Sequence, residues 1–126
     1  MGTILVIEDD TSIAEIYRIA FTRRNHPVEI ASDGEEGINK ARTLKPALIL
    51  LDVMMRKKDG LQVITDLKAN PETKDIPVFI ISNLSNPSIQ KKMLDSGALK
   101  FLVKSDYLPD QVVDIAEKFF NPQAHV

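Results

Sequence analysis

The chain predicts an α/β fold, a parallel sheet covered by helices on both faces. Three observations carry this. Five short apolar runs alternate with five amphipathic segments along 126 residues, the pattern of successive strand–helix–strand units. The central run, Leu48 to Leu51, is aliphatic without a break, which suits a strand buried on both sides. Polar residues follow directly on four of the runs. In an open parallel sheet those ends share one edge, where ligands bind.

Taken in order, Thr3 to Ile7 is the first strand and stops at Glu8, Asp9 and Asp10. Ser12 with Glu15 has capping-box spacing, and Ile13, Ile16 and Ala20 recur at helical spacing, so a first helix runs to about Arg24, closed by Asn25 and His26. Val28 to Ala31 is a short strand. Ser32 with Glu35 repeats the capping-box spacing and opens a helix that turns Ile38 and Ala41 inward and ends at Lys45 and Pro46. The central strand stops at Asp52. Asp59 with Gln62 caps a third helix, with Leu61, Ile64 and Leu67 inside, and Asn70 to Asp75 is a polar loop. Pro77 to Ile81 is the fourth strand and ends at Ser82. Asn86 and then Pro87 form an N-cap and a first-turn proline for a helix carrying Ile89, Met93 and Leu94. Phe101 to Val103 is the fifth strand and ends at Lys104. Asp106 to Pro109 opens the last helix, with Val112, Ile115, Ala116 and Phe119 on one face. Residues 1–126 form one domain, and 121–126 are a tail.

Composition excludes several classes of function. A formal net charge of -2 leaves no basic footprint for nucleic acid. There are no cysteines, hence no thiolate catalysis, disulfide or cysteine-based zinc site. His26 and His125 are the only histidines, one in a loop and one in the tail. Met1 to Ile7 is too short for a signal peptide, and no apolar run reaches membrane-spanning length. The expectation is a cytoplasmic protein with no membrane and no direct nucleic-acid partner.

The strand ends carry the chemistry. Glu8 and Asp9, Asp52, Ser82 and Lys104 come from four different strands and meet at one edge. Three carboxylates in one crevice repel, and a hard cation such as Mg²⁺ takes a few carboxylates together with waters and phosphate oxygens. An ammonium and a hydroxyl beside them suit a phosphoryl group, and a carboxylate nucleophile forms an acyl phosphate. Each residue also has an ordinary reading. Glu8, Asp9 and Asp10 suit a helix N-terminus, Asp52 a turn, Ser82 a strand end and Lys104 a solvated surface. Phe101 reads as core, and Arg56, Lys57 and Lys58 as a solvated loop. The shared position at successive strand ends argues for the site.

With these residues in place, the chain resembles a receiver domain of a two-component response regulator over roughly Thr3 to Phe120. ILVIEDD resembles the family's first strand and acidic pair, LILLDVMMRKKDG its phosphoacceptor strand and loop, IPVFIIS its fourth strand with the hydroxyl residue, and GALKFLVK its fifth strand with the lysine. The resemblance implies a flavodoxin-like, doubly wound sheet of order 2-1-3-4-5 with five helices. It implies Asp52 as phosphoacceptor and Mg²⁺ held by Asp9, Asp52 and the Met54 backbone carbonyl, with Glu8 acting through water. Ser82 and Lys104 would contact the phosphoryl group, and Phe101 would rotate in step with Ser82. The implied donor is a histidine kinase or phosphotransfer protein. The domain would catalyse only its own phosphorylation and dephosphorylation. With no output domain in the sequence, signalling is expected through a protein target on the fourth-helix, fifth-strand and fifth-helix face, through phosphorelay, or through homodimer formation on phosphorylation.

Three positions depart from the family's pattern: Arg56 replaces a proline, Asn83 a small residue, and Ser105 the proline after the lysine, with Pro109 about one residue late. A cis bond before serine costs about 2.5–4 kcal/mol, against about 0.5–1 before proline. The Lys104–Ser105 bond is therefore expected to be trans, with the amine still directed at Asp52. Other readings are a pseudo-receiver that only binds a partner, an aspartate-nucleophile phosphatase and a flavin carrier. The haloacid-dehalogenase signature needs a second acid where Met54 stands, and the acidic first turn opposes a flavin phosphate unscreened by metal.

Overall fold

The structure is a computed structural model and describes residues 2–55, 57–84 and 86–123. Arg56 and the tail residues 124–126 lie outside the described residues. The elements are β1 (Ile4–Ile7), α1 (Thr11–Thr22), β2 (Val28–Ala31), α2 (Gly34–Leu44), β3 (Leu48–Asp52), α3 (Gly60–Ala69), β4 (Val78–Ser82), α4 (Pro87–Asp95), β5 (Lys100–Val103) and α5 (Pro109–Phe120). A 3₁₀ turn, Lys104–Asp106, follows β5. All strand pairs are parallel, in the order β2-β1-β3-β4-β5.

The strands β1, β3 and β4 are buried along their whole length. Alternate residues enter opposite layers because successive side chains point to opposite faces. Leu5, Ile7, Ile49, Leu51 and Ile80 pack with α2, α3 and α4, whereas Ile4, Val6, Leu50, Phe79 and Ile81 pack with α1 and α5. Burial on both sides is why these strands read as continuous aliphatic runs rather than alternating ones.

Local signals place the helix starts, with two corrections. The Asp59–Gln62 capping box and the Asn86–Pro87 start form as expected. The α1 N-cap, however, is Asp10, whose carboxylate accepts from the Ser12 and Ile13 amides at 2.9 and 3.1 Å, and the α2 N-cap is Asp33, accepting from Glu36 at 2.9 Å. The expected Ser12 and Ser32 caps are displaced because an aspartate sits beside each start, and a charged acceptor bonds an amide more strongly than a hydroxyl does. One residue of the expected α1 stripe is also corrected: Ala20 is buried and Ile13 packs against the core, but Ile16 lies outside. Ala14, Tyr17 and Phe21 are buried, while Ile16 is 48% exposed. Turning the two aromatic rings inward leaves Ile16 at the margin of the buried face. Leu94 is likewise largely exposed.

Gly60 ties the fold to the central strand end. Its amide donates to the Val53 carbonyl at 2.8 Å. A Cβ there would meet Val53 Cα at 2.7 Å and the Asp52 carbonyl at 2.8 Å. Both are backbone atoms that cannot rotate away. Gly60→Ala is expected to cost about 1–3 kcal/mol, read as a lower urea midpoint with the slope unchanged.

Candidate functional site at the carboxyl edge of the sheet

Because β1 and β3 are neighbours, with Ile7 opposite Leu51, the residues that follow them meet. Glu8, Asp9 and Asp52 bring carboxylate oxygens within 4.8 Å of one another. Glu8 and Asp52 are buried and Asp9 is half-buried. Asp10, the third acid of the run, is spent on capping α1. Lys104 arrives from beyond β5 and reaches across β4. Its Nζ donates to Glu8 Oε1 at 2.9 Å and lies 3.6 Å from Asp52 Oδ1.

Ser82 ends β4 and is almost fully buried. Its hydroxyl oxygen accepts from the Leu84 amide at 3.0 Å, which leaves the hydroxyl proton to donate elsewhere. Ser82 pairs with Val103 and Ile80 with Phe101. Phe101 therefore sits one step back from Ser82 on the same sheet face, half-buried against the α3–α4 layer. Asp52 Oδ1 accepts a long bond from the Met54 amide at 3.4 Å. Met54 itself is 63% exposed, and with Leu84, Ile89, Lys92 and Met93 it lines an apolar groove of about 460 Å³ beside the acids.

The Lys104–Ser105 peptide bond is trans. The added residue before Pro109 is taken up in the 3₁₀ turn Lys104–Asp106. The amine still points into the site, although its shorter contact is to Glu8 and not to Asp52. Arg56 lies outside the described residues, and Asn83 is exposed at the mouth.

The electrostatics follow from crowding. Burial, then the side-chain hydrogen bond with Asp52, push Glu8 up from 4.5 to about 7, with Lys104 offsetting part of the rise. Burial also pulls the Lys104 ammonium down, but the Glu8 bond and the Asp52 and Glu8 charges outweigh it and hold the group above its ordinary value. Lys104 contacts Glu8 and Asp52, and the three clustered carboxylates are a donor set that fits a small divalent cation. Sequence reasoning did not single out Tyr17, which lines the same small hollow as Glu8 and Asp52. A tyrosine on the apolar stripe of a helix reads as core, and only the tertiary packing brings it under the acids.

The comparisons agree with this architecture. The profile described as the response regulator receiver domain matches residues 4–116. The chain belongs to this family, which is a signalling domain of two-component systems. It is 39% identical over 103 residues to the gliding motility regulatory protein of Myxococcus xanthus, covering 81% of this chain and 13% of that protein. The chain thus spans a small part of that relative's length. Among solved structures it is similar to the phosphorylated cyanobacterial phytochrome response regulator RcpA, at 28% identity and a TM-score of 0.81, covering 94% of this chain and 92% of that one. It is similar also to the Mn²⁺-bound response regulator Rcp1, at 26% identity and a TM-score of 0.80, covering 100% of this chain and 99% of that one. None of the described helices is long and apolar enough to cross a membrane.

The raised Glu8 value fixes a pH dependence for the metal-free protein. Between pH 4.5 and about 7 the folded chain keeps a proton that the unfolded chain has lost. Stability therefore falls as pH rises through that window. With divalent ions chelated, Glu8→Gln is expected to raise the unfolding free energy at pH 8 by about 1–3 kcal/mol. The gain should shrink toward pH 5 in urea titrations at both values.

Proposed function

We propose that the chain is a phosphorylation-activated switch that accepts a phosphoryl group on Asp52 from a histidine kinase or phosphotransfer protein. The observation that carries this reading is the meeting of Asp52 with Glu8, Asp9, Lys104 and Ser82 at one sheet edge. The solved structures of phosphorylated RcpA and Mn²⁺-bound Rcp1, proteins similar in fold and sequence, support it.

In the reaction an Asp52 carboxylate oxygen bonds to phosphorus as the donor's phosphorus–nitrogen bond breaks, and the imidazole leaves with that electron pair. Asp52 acts as nucleophile in its ionised form. Lys104 neutralises a phosphoryl oxygen, and Ser82 donates its hydroxyl proton as a hydrogen bond to another. Mg²⁺, held by the Asp9 and Asp52 carboxylates and the Met54 backbone carbonyl with Glu8 acting through water, would supply the charge that lets acids and phosphoryl oxygens share the crevice. The chain's catalysis is confined to gaining and losing its own phosphoryl group. Cytoplasmic location and signalling without direct nucleic-acid contact belong to the same reading.

Output follows from the coupling of strand and loop. Phosphorylation adds about 1.5 to 2 negative charges beside a buried serine. Ser82 moves toward them and Phe101 turns into the space it leaves. The surface that changes is α4, β5 and α5, where Lys91, Lys92, Lys100 and Tyr107 are exposed to a protein target or to a second copy of the chain.

Two tests follow. Incubation with acetyl phosphate and Mg²⁺ is expected to add one base-labile phosphoryl group by mass, and Asp52→Asn to abolish it. Asp9→Ala should weaken Mg²⁺ and slow labelling without unfolding the chain. Undiminished labelling of the Asp52→Asn protein would sink the assignment. The second test concerns lifetime, since hydrolysis needs a water held in line. Met54 and Leu84 stand where polar side chains could orient one and offer only apolar atoms. The phosphorylated state should therefore be long-lived, and replacing both with polar residues should speed decay about tenfold or more, followed by the loss of the mass shift with time.

A further inference from the structure

Three of the chain's four methionines, Met54, Met55 and Met93, meet in one place. They line the open apolar groove of about 460 Å³ between the β3–α3 loop and α4, a size that suits bound side chains. Ile89 and Met93 enter it from one side of α4, because residues four apart on a helix share a face, and Leu61 and Leu84 complete the apolar lining. Met93 and Met55 are buried, whereas Met54 stands 63% exposed. Methionine is unbranched, flexible and polarizable, so a groove lined with it adapts to apolar partners of differing shape. None of the lining residues comes from β5 or α5. The groove is therefore separate from the output face named above and shares only α4 with it.

The charges around the groove select the partner. Lys92 shares the groove face of α4 with Ile89 and is exposed. Among the described residues it makes no ion pair, whereas its neighbour Lys91 is matched by Asp95 at 2.7 Å. On the opposite wall, Lys57 lies between Met54 and Asp59, its side chain 75% exposed and 3.6 Å from Asp33. Lys58 is already matched by Glu35 and Asp66. The carboxylate in the lining, Asp59, is spent on the start of α3, accepting from the Gln62 amide at 2.9 Å. A chain of net charge -2 thus places exposed cations on both walls of this apolar groove. Both walls are also bonded to the phosphorylation site. The Met54 amide donates to Asp52 Oδ1 at 3.4 Å, and the Leu84 amide to Ser82 Oγ at 3.0 Å.

We propose that this groove is a docking site for a partner's short amphipathic helix, apolar on one face and acidic beside it, and that its affinity for that helix changes when Asp52 is phosphorylated. Apolar residues at helical spacing fill the methionine-lined floor, and flanking carboxylates meet Lys92 and Lys57. The second half of the inference rests on Asp52 being the acceptor. A phosphoryl group there alters the acceptors of the Met54 and Leu84 amides, and with them the two walls. A partner seated between the walls then binds the two states unequally, and by the same factor it shifts the balance between them.

The probe is a phage-displayed library of random peptides of roughly 16 residues, about four helical turns. It is selected on the full chain at rest and on the chain with Mg²⁺ and beryllofluoride, a stable stand-in for the phosphoryl group. Enriched peptides should combine leucine-like residues at helical spacing with Asp or Glu. Binding is read by carbon-13 methyl signals of methionine, where Met54, Met55 and Met93 should shift and Met1 serves as the reference. Lys92→Glu should weaken the selected peptides about fivefold and leave the methyl spectrum of the free chain folded. Affinity should differ about fivefold or more between the two states. Enrichment of basic peptides, no enrichment, or binding that leaves the three methyl signals unmoved would overturn the docking site. So would shifts of those signals with protein concentration alone, together with a dimer in sedimentation, because a second copy then fills the groove. Acetyl phosphate labelling separates the two readings. If Asp52 takes no label, the acceptor reading fails and the groove is judged on the resting chain. If Asp52 labels and the peptides bind both states equally, the coupling fails and the acceptor stands.

Discussion

Three carboxylates held together at one sheet edge, with Lys104 against Glu8 and Asp52, are the constraint on which the rest of the structure depends. Left alone, Glu8, Asp9 and Asp52 would push β1 and β3 apart at their ends. They stay together because the strands behind them are buried on both faces and hydrogen-bonded in register. The apolar gain of that burial offsets the repulsion, and Lys104 neutralises part of it. Burial, together with the neighbouring Asp52, raises the Glu8 carboxyl to about 7. The clustered acids are stable enough to fold and close enough together to suit a cation.

Strand order turns that constraint into a geometry. With β1 and β3 adjacent, the acids meet without any long side chain. With β4 next, Ser82 ends the neighbouring strand one residue beyond Ile81, the partner of Asp52. With β5 outermost, only a long residue can reach back, and Lys104 spans β4 with its aliphatic stem while its charge lies at Glu8 and Asp52. The trans bond after Lys104 and the 3₁₀ turn that follows show that this aim does not need a proline. The length of the side chain and the pull of two carboxylates are sufficient.

Much of this was legible in the sequence. The aliphatic runs named the strands because a doubly buried strand cannot alternate, and the polar residue closing each run named the edge. Strand ends were less legible, shifting by about a residue where backbone pairing continues into a polar side chain, as at Ser82. Helix starts at Ser12 and Ser32 were misplaced because serine and aspartate compete for the same role, and the neighbouring charge decided between them. The margin of the inner face of α1 was ambiguous, since Ile16 and Tyr17 are both apolar and both stand at helical spacing from buried residues, and only Tyr17 is inside. The preference of Lys104 for Glu8 over Asp52 depends on tertiary distances of 2.9 and 3.6 Å, which no spacing along the chain encodes.

The same distances suit the two states that the proposed switch requires. In the resting arrangement the ammonium serves the buried acids, the Ser82 oxygen accepts from its own loop at Leu84, and Phe101 remains half-buried at the edge of the α3–α4 layer. On the proposed reading, a phosphoryl group on Asp52 would compete for both donors at once. Lys104 and Ser82 come from neighbouring strands, β5 and β4, so a shift of either would be felt by the loop before α4 and by the ring of Phe101 one step along the strand. Such a signal would need no long path through the core. It would pass from one hydrogen-bond donor to the next, each held by a short strand whose other end is locked in the apolar layers. Its outcome would be set by which acceptor, the resting carboxylate or the phosphoryl oxygen, offers the stronger bond.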